Sequence, residues 1–180
     1  VVGVYTVTYN VTDANGNNAV EVIRTVNVVD TTAPVITLTG DASITLEVGA
    51  TYTEEGATAT DNYDTSLTVV VGGDTVDTST VGTYTVTYNV SDAAGNAATE
   101  VTRTVNIVDT TAPVITLTGD ASITLEVGAT YTEEGATATD NYDTSLTVVV
   151  GGDTVDTSTV GTYTVTYNVS DAAGNAATEV

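Results

Sequence analysis

Residues Asp30–Val101 and Asp109–Val180 are identical at all 72 positions, so whatever one stretch folds into the other must fold into as well. The offset is 79 residues, and it also separates Gly3, Gly82 and Gly161. Self-similarity at a fixed period marks a tandem array of one structural unit. Residues 1–29 read as the C-terminal part of a preceding repeat, 30–108 as a complete repeat, and 109–180 as a repeat lacking its last strand. The first fragment drifts slightly, for example at Asn15, Val20 and Ile23.

Within the repeat, Gly82–Val90 (GTYTVTYNV) alternates strictly, recurring as Gly161–Val169 and nearly so as Gly3–Val11. Tyr84, Val86, Tyr88 and Val90 share one face, and Thr85, Thr87 and Asn89 the other. A period of two is that of a half-buried strand. Further strands are expected at Val35–Thr39, Ile44–Val48, Tyr52–Thr60, Leu67–Val71, Thr75–Asp77 and Ala98–Val108. Turn signals separate them every 8–12 residues or so, the spacing of an all-β sandwich. Pro34 and Pro113 mark short, stiff connections, because each holds its own φ and keeps the preceding Ala extended. The expectation is tandem immunoglobulin-like β-sandwiches, all-β, with about seven strands in each 79-residue repeat.

Composition narrows the chemistry. The chain has no His and no Cys, which removes imidazole bases, thiolate nucleophiles and zinc-type ligand sets. We therefore expect no enzyme and no catalytic residue. With 24 acidic residues against Arg24 and Arg103 alone, the net charge is −22. Nucleic acid and anionic membrane surfaces are poor partners for such a surface. No apolar run is long enough to span a membrane as a helix. The core must be built from Val, Ile, Leu, Ala and Tyr, since Trp, Phe and Met are absent.

The segments DTTAPVITL, GATYTEEGATATDN, VGTYTVTY, SDAAGN and TRTV occur in order and at the spacing that resembles bacterial Ig-like surface-protein repeats. The same type of domain occurs in pesticidal crystal proteins and large bacterial adhesins. The resemblance covers the whole chain and implies a secreted, extracellular or cell-surface array whose repeats act mostly as spacers. In an Ig sandwich the Tyr at the E–F corner stands two residues before a Cys; here that position is Val86.

Three places converge at one pole of such a sandwich: the start of strand A and the B–C and F–G loops. They hold Asp30, Asp61, Asn62, Asp64, Asp92 and Asn96, and in the next repeat Asp109, Asp140, Asn141, Asp143, Asp171 and Asn175. Ca²⁺ takes about six to eight hard oxygen ligands, so each set is a candidate Ca²⁺ site at a repeat junction. The same Asp and Gly positions also suit type I turns without any metal. Glu54 and Glu55 read as an exposed bulge rather than a ligand pair, and Arg103 as the partner of an unidentified carboxylate near the sandwich edge. Asn10, Asn89 and Asn168 each begin a glycosylation sequon. A stalk or spacer repeat is the favoured reading, its partners being neighbouring repeats. A self-assembling extracellular filament, completed by strands from other copies, is the alternative.

Overall fold

A computed structural model describes all 180 residues. It is all-β, with strands β1 (Gly3–Tyr9), β2 (Val22–Val28), β3 (Val35–Leu38), β4 (Ser43–Glu47), β5 (Ala57–Thr60) and β6 (Val70–Gly73). There follow β7 (Gly82–Asn89), β8 (Val101–Val108), β9 (Val114–Leu117), β10 (Ala136–Thr139), β11 (Val149–Gly152) and β12 (Val165–Asn168). Two compact units divide the chain. One comprises Val1–Ile44, Thr53–Val76 and Tyr84–Val105, the other Thr45–Tyr52, Asp77–Thr83 and Asn106–Val180.

In the second repeat β3 pairs antiparallel with β5, and a four-stranded sheet runs in the order β4-β8-β7-β6. The alternation along β7 sets its inner face: Val86 and Tyr88 are buried, as is Val90 just beyond the strand. They pack with Ile36, while Leu38, Ala59, Leu67 and Val101 close the cluster from its edges. Fully burying a side chain of this kind contributes roughly 1.5–3 kcal/mol, so a few such residues hold the two layers together. The corner tyrosine behaves as the Ig-type pattern requires: Tyr163 donates its hydroxyl to Thr159 O at 3.3 Å, four residues upstream.

Four strands differ from the sequence expectation, the last of them beginning at Val101 rather than Ala98. Tyr52–Thr60 is strand only over Ala57–Thr60, because Gly56 turns into the left-handed region (φ +77°) and donates its N–H to Glu54 Oε1 at 2.6 Å. Leu67–Val71 gives way to Val70–Gly73, so the glycine pair lies inside β6. Thr75–Asp77 forms no strand, which leaves six strands in the complete repeat. Here the side chain of Asp74 replaces the ladder, accepting Thr85 N–H at 2.7 Å while its own N–H goes to Thr85 O at 2.8 Å.

Arg103 lies in the core, not at an edge. It is 0% exposed in β8. Its Nη1 meets Glu54 Oε1 at 2.5 Å, Nε donates to Asp41 O at 2.9 Å, and Nη2 donates to Thr39 O. The guanidinium stands 5.6 Å from the ring centre of Tyr88, whose hydroxyl also reaches Glu54 at 2.6 Å. Glu54 is therefore the carboxylate partner of Arg103 and no exposed bulge, whereas Glu55 is exposed.

Candidate metal centre

Two carboxylate clusters stand where the loops were expected to converge. Asp109, Asp140, Asp143 and Asp171 place one carboxylate oxygen each within 4.8 Å of all the others, and Asp30, Asp61 and Asp92 do the same. The reason is local. Asp30, Asp109 and Asp140 each spend one oxygen on bracing their own loop and leave the other over.

In the third repeat Asp140 Oδ2 accepts the N–H groups of Tyr142 (2.9 Å) and Asp143 (3.0 Å). Asp109 Oδ1 accepts Thr111 N–H at 3.2 Å. The second oxygens, Asp140 Oδ1 and Asp109 Oδ2, are buried and have no hydrogen-bond partner. Asp143 Oδ2 ties the neighbouring loop by accepting Ala172 N–H at 2.7 Å. In the second repeat Asp61 Oδ2 holds the N–H groups of Tyr63 (2.9 Å) and Asp64 (3.1 Å), and Asp64 Oδ2 holds Ala93 N–H (2.7 Å). Asp30 Oδ2 is a further buried oxygen without a partner. At Asp30, Asp109 and Asp140 turn chemistry and a metal site are thus compatible, because they use different oxygens of the same residue.

The amides serve the carboxylates. Asn96 Nδ2 donates to Asp92 Oδ2 (2.7 Å) and Asp30 O (3.3 Å), and Asn175 Nδ2 donates to Asp171 Oδ2 (2.7 Å) and Asp109 O (3.2 Å). Asn62 sets its amide nitrogen against both Asp61 oxygens, at 3.2 and 3.0 Å. Asn141 Nδ2 turns instead to Glu47 Oε1 at 3.3 Å.

Glu47 was not among the expected residues. At the end of β4, it grips the segment that opens the third repeat. Its carboxylate accepts Thr110 N–H (3.0 Å), Thr110 Oγ1–H (2.6 Å) and Thr111 Oγ1–H (2.7 Å). Those hydroxyl bonds, Thr110 first, hold its pKa down at about 2. The pKa of Asp109 moves the other way. Burial raises it most, with the charges of Asp140, Asp171 and Glu47 adding to the rise against the lowering bond from Thr111 N–H. Asp109 is 7% exposed, so its carboxylate stands out of water beside like charges with one oxygen unsatisfied. Such an arrangement is costly unless a cation joins it.

Carboxylate oxygens grouped this closely are the donor type of a hard cation such as Ca²⁺ or Mg²⁺.

The fold and its loop-borne acidic pole define an Ig-like β-sandwich repeat. The family of the bacterial surface-protein Ig-like domain matches residues 36–107 and 115–180, and the chain belongs to that family. It is 38% identical over 191 residues to hyalin of Lytechinus variegatus, covering 98% of this chain and 35% of that protein. An uncharacterized 81.3 kDa protein of Acholeplasma phage L2 is 35% identical over 187 residues, covering 97% of this chain and 25% of that one. The serine-rich adhesin for platelets of Staphylococcus aureus (strain MSSA476) is 32% identical over 191 residues, covering 96% of this chain and 8% of the adhesin. The chain thus spans about a third or less of the length of these relatives. No helix is long and apolar enough to cross a membrane.

Proposed function

We propose that this chain is a non-catalytic spacer of an extracellular surface array, with one Ca²⁺ held at the acidic pole of each module. The modules begin near Asp30 and Asp109, each with an Asp that contributes a ligand. The observation that carries the reading is the buried, partnerless Oδ2 of Asp109 among three other carboxylates. Asp109, Asp140, Asp143 and Asp171 would hold the ion in one module, and Asp30, Asp61 and Asp92 in the other. The cation supplies charge compensation and a cross-link between three loops; it performs no reaction. Glu47 adds a second tie, fastening the Thr110-Thr111 segment to the end of β4.

A spacer fits the rest of the molecule. Binding specificity resides in loops that differ, and here the loops of two repeats are the same residue for residue. Surface-protein family membership and the similarity to an adhesin support an extracellular setting. Thermal unfolding in EDTA and in Ca²⁺ tests the reading. A ligand at about 100 times its Kd stabilises the folded form by about 2.7 kcal/mol. The midpoint is expected to rise by about 15 °C for a module of this size. An unchanged midpoint refutes the calcium assignment.

A further inference from the structure

Glu47 belongs to neither carboxylate cluster, yet it holds the backbone of one of them. Its own carboxylate has no oxygen to spare for an ion. Oε2 accepts both the N–H and the hydroxyl of Thr110, while Oε1 accepts the Thr111 hydroxyl and, at 3.3 Å, Asn141 Nδ2. Thr110 and Thr111 directly follow Asp109, and Asn141 directly follows Asp140. Asp109 and Asp140 are the members of their cluster whose second oxygen is buried without a partner. One side chain on β4 therefore grips both ligand-bearing segments, each at the residue beside its orphaned oxygen.

Bonds inside the third repeat join these two segments by way of its other acidic loop, through Asn175 on Asp109 O and Ala172 on Asp143. Glu47 joins them directly. A weaker tie runs beside it, the hydroxyl oxygen of Tyr142 accepting the N–H of Val81 at 3.4 Å. Glu47, Val81 and the four aspartates all lie in one compact unit. Carboxylates repel one another, so setting them at ligand distance costs free energy that an ion must supply on binding. A side chain that holds them there beforehand removes part of that cost.

We propose that Glu47 is a positioning residue that sets the Ca²⁺ affinity of the Asp109, Asp140, Asp143 and Asp171 site without touching the ion. This rests on the calcium reading above and adds to it a residue from the preceding repeat. Two contributions act together. The grip fixes Asp109 and Asp140 relative to each other, and salt leaves that unchanged. The Glu47 charge, felt at both Asp109 and Asp140, adds to the pull on a divalent cation, and salt screens it. Linkage makes the coupling reciprocal, so the ion must tighten the Glu47 grip by the factor by which the grip tightens the ion.

Ca²⁺ titrations followed by nuclear magnetic resonance test this on the full chain. The amides of Tyr142 and Asp143 read the site that Glu47 holds. Those of Tyr63 and Asp64 read the site of Asp30, Asp61 and Asp92, which Glu47 does not touch. Glu47→Ala should weaken the first site about tenfold or more, the loss expected when the outer partner of a metal site is removed, and leave the second unchanged. Thr110→Val combined with Thr111→Val keeps every charge and takes away two hydroxyls that Glu47 holds. It should weaken the same site at least about threefold, and by the same factor in about 1 M NaCl, where the Debye length is about 3 Å. Ca²⁺ should slow exchange of the Thr110 amide in the unaltered chain and not in Glu47→Ala. Unaltered affinity in Glu47→Ala overturns the proposal and leaves the calcium reading standing. A loss confined to Glu47→Ala and abolished by salt also overturns it, because charge alone then accounts for the effect. An unaltered chain that binds no Ca²⁺ sinks both.

Discussion

Truncating Glu54 to Ala leaves the Arg103 guanidinium fully buried without its carboxylate. Removing one member of a buried ion pair costs about 3–5 kcal/mol, since the remaining charge stays out of water uncompensated. Two features place this case at the lower end. Arg103 keeps its bonds to Asp41 O and Thr39 O and its position over Tyr88, and the Glu54 side chain is 28% exposed, so water enters once it is gone. The expected loss is therefore about 3 kcal/mol. Hydrogen exchange of the β7 and β8 amides through a urea series reads that loss locally. Glu133→Ala is the internal control. There the carboxylate accepts the hydroxyls of Tyr131 and Tyr167, so its removal frees two tyrosine hydroxyls and should cost about 1 kcal/mol. Replacing both charges, as Glu54→Leu with Arg103→Met, should return stability to within about 1 kcal/mol of the starting chain. If Glu54→Ala costs no more than Glu133→Ala, the ion pair is not what holds β8 in place.

The Glu47 clamp predicts a pH window. Its pKa falls from 4.5 to about 2 on folding, so its stabilisation is complete above about pH 4.5 and is lost as the pH drops toward 2. Exchange of the Thr110 amide should accelerate over that window, and Glu47→Gln should remove the dependence. Asp109 has the opposite sign. Its raised pKa means that stability falls as pH rises above 3.8, and Asp109→Asn should flatten that slope in acid titrations followed by circular dichroism without calcium. Gly73→Ala should destabilise more than Gly95→Ala in thermal melts. Both have positive φ, but the new Cβ would lie 2.3 Å from Thr85 O at Gly73 and meets nothing within 4 Å at Gly95. The left-handed conformation alone costs roughly 1–2 kcal/mol for a residue with a Cβ. Ile107, 1% exposed in β8, should cost about 2–5 kcal/mol when cut to Ala.

Much of the fold was legible because it is periodic. The alternation of Tyr84, Val86, Tyr88 and Val90 specified both the strand and its inner face, and the structure buries the last three. Acidic loops at one pole could be grouped because an Ig-like topology fixes which loops are neighbours, and the carboxylates of Asp30, Asp61 and Asp92 do meet. What was not legible depends on pairs far apart in the chain. Glu54 looked like half of an exposed bulge, since nothing within ten residues hints at Arg103, 49 positions on. Glu47 falls on the outward side of its strand by alternation. Only the return of the chain, 63 residues later, brings Thr110 to it. Asn62, Asn96, Asn141 and Asn175 were grouped with the carboxylates by their places in the same loops; what could not be read is where their amide nitrogens donate, namely to neighbouring oxygens. The lost strand at Thr75–Asp77 has a similar cause, a side chain of Asp74 that takes over a ladder bond.

Equilibrium dialysis of the chain against radioactive Ca²⁺ at about 1 mM, the affinity range of extracellular modules, tests the central claim most directly. Two saturable ions per chain are predicted, one for each carboxylate cluster, falling to one in Asp109→Asn. No saturable binding, or a stoichiometry that Asp109→Asn leaves untouched, contradicts it.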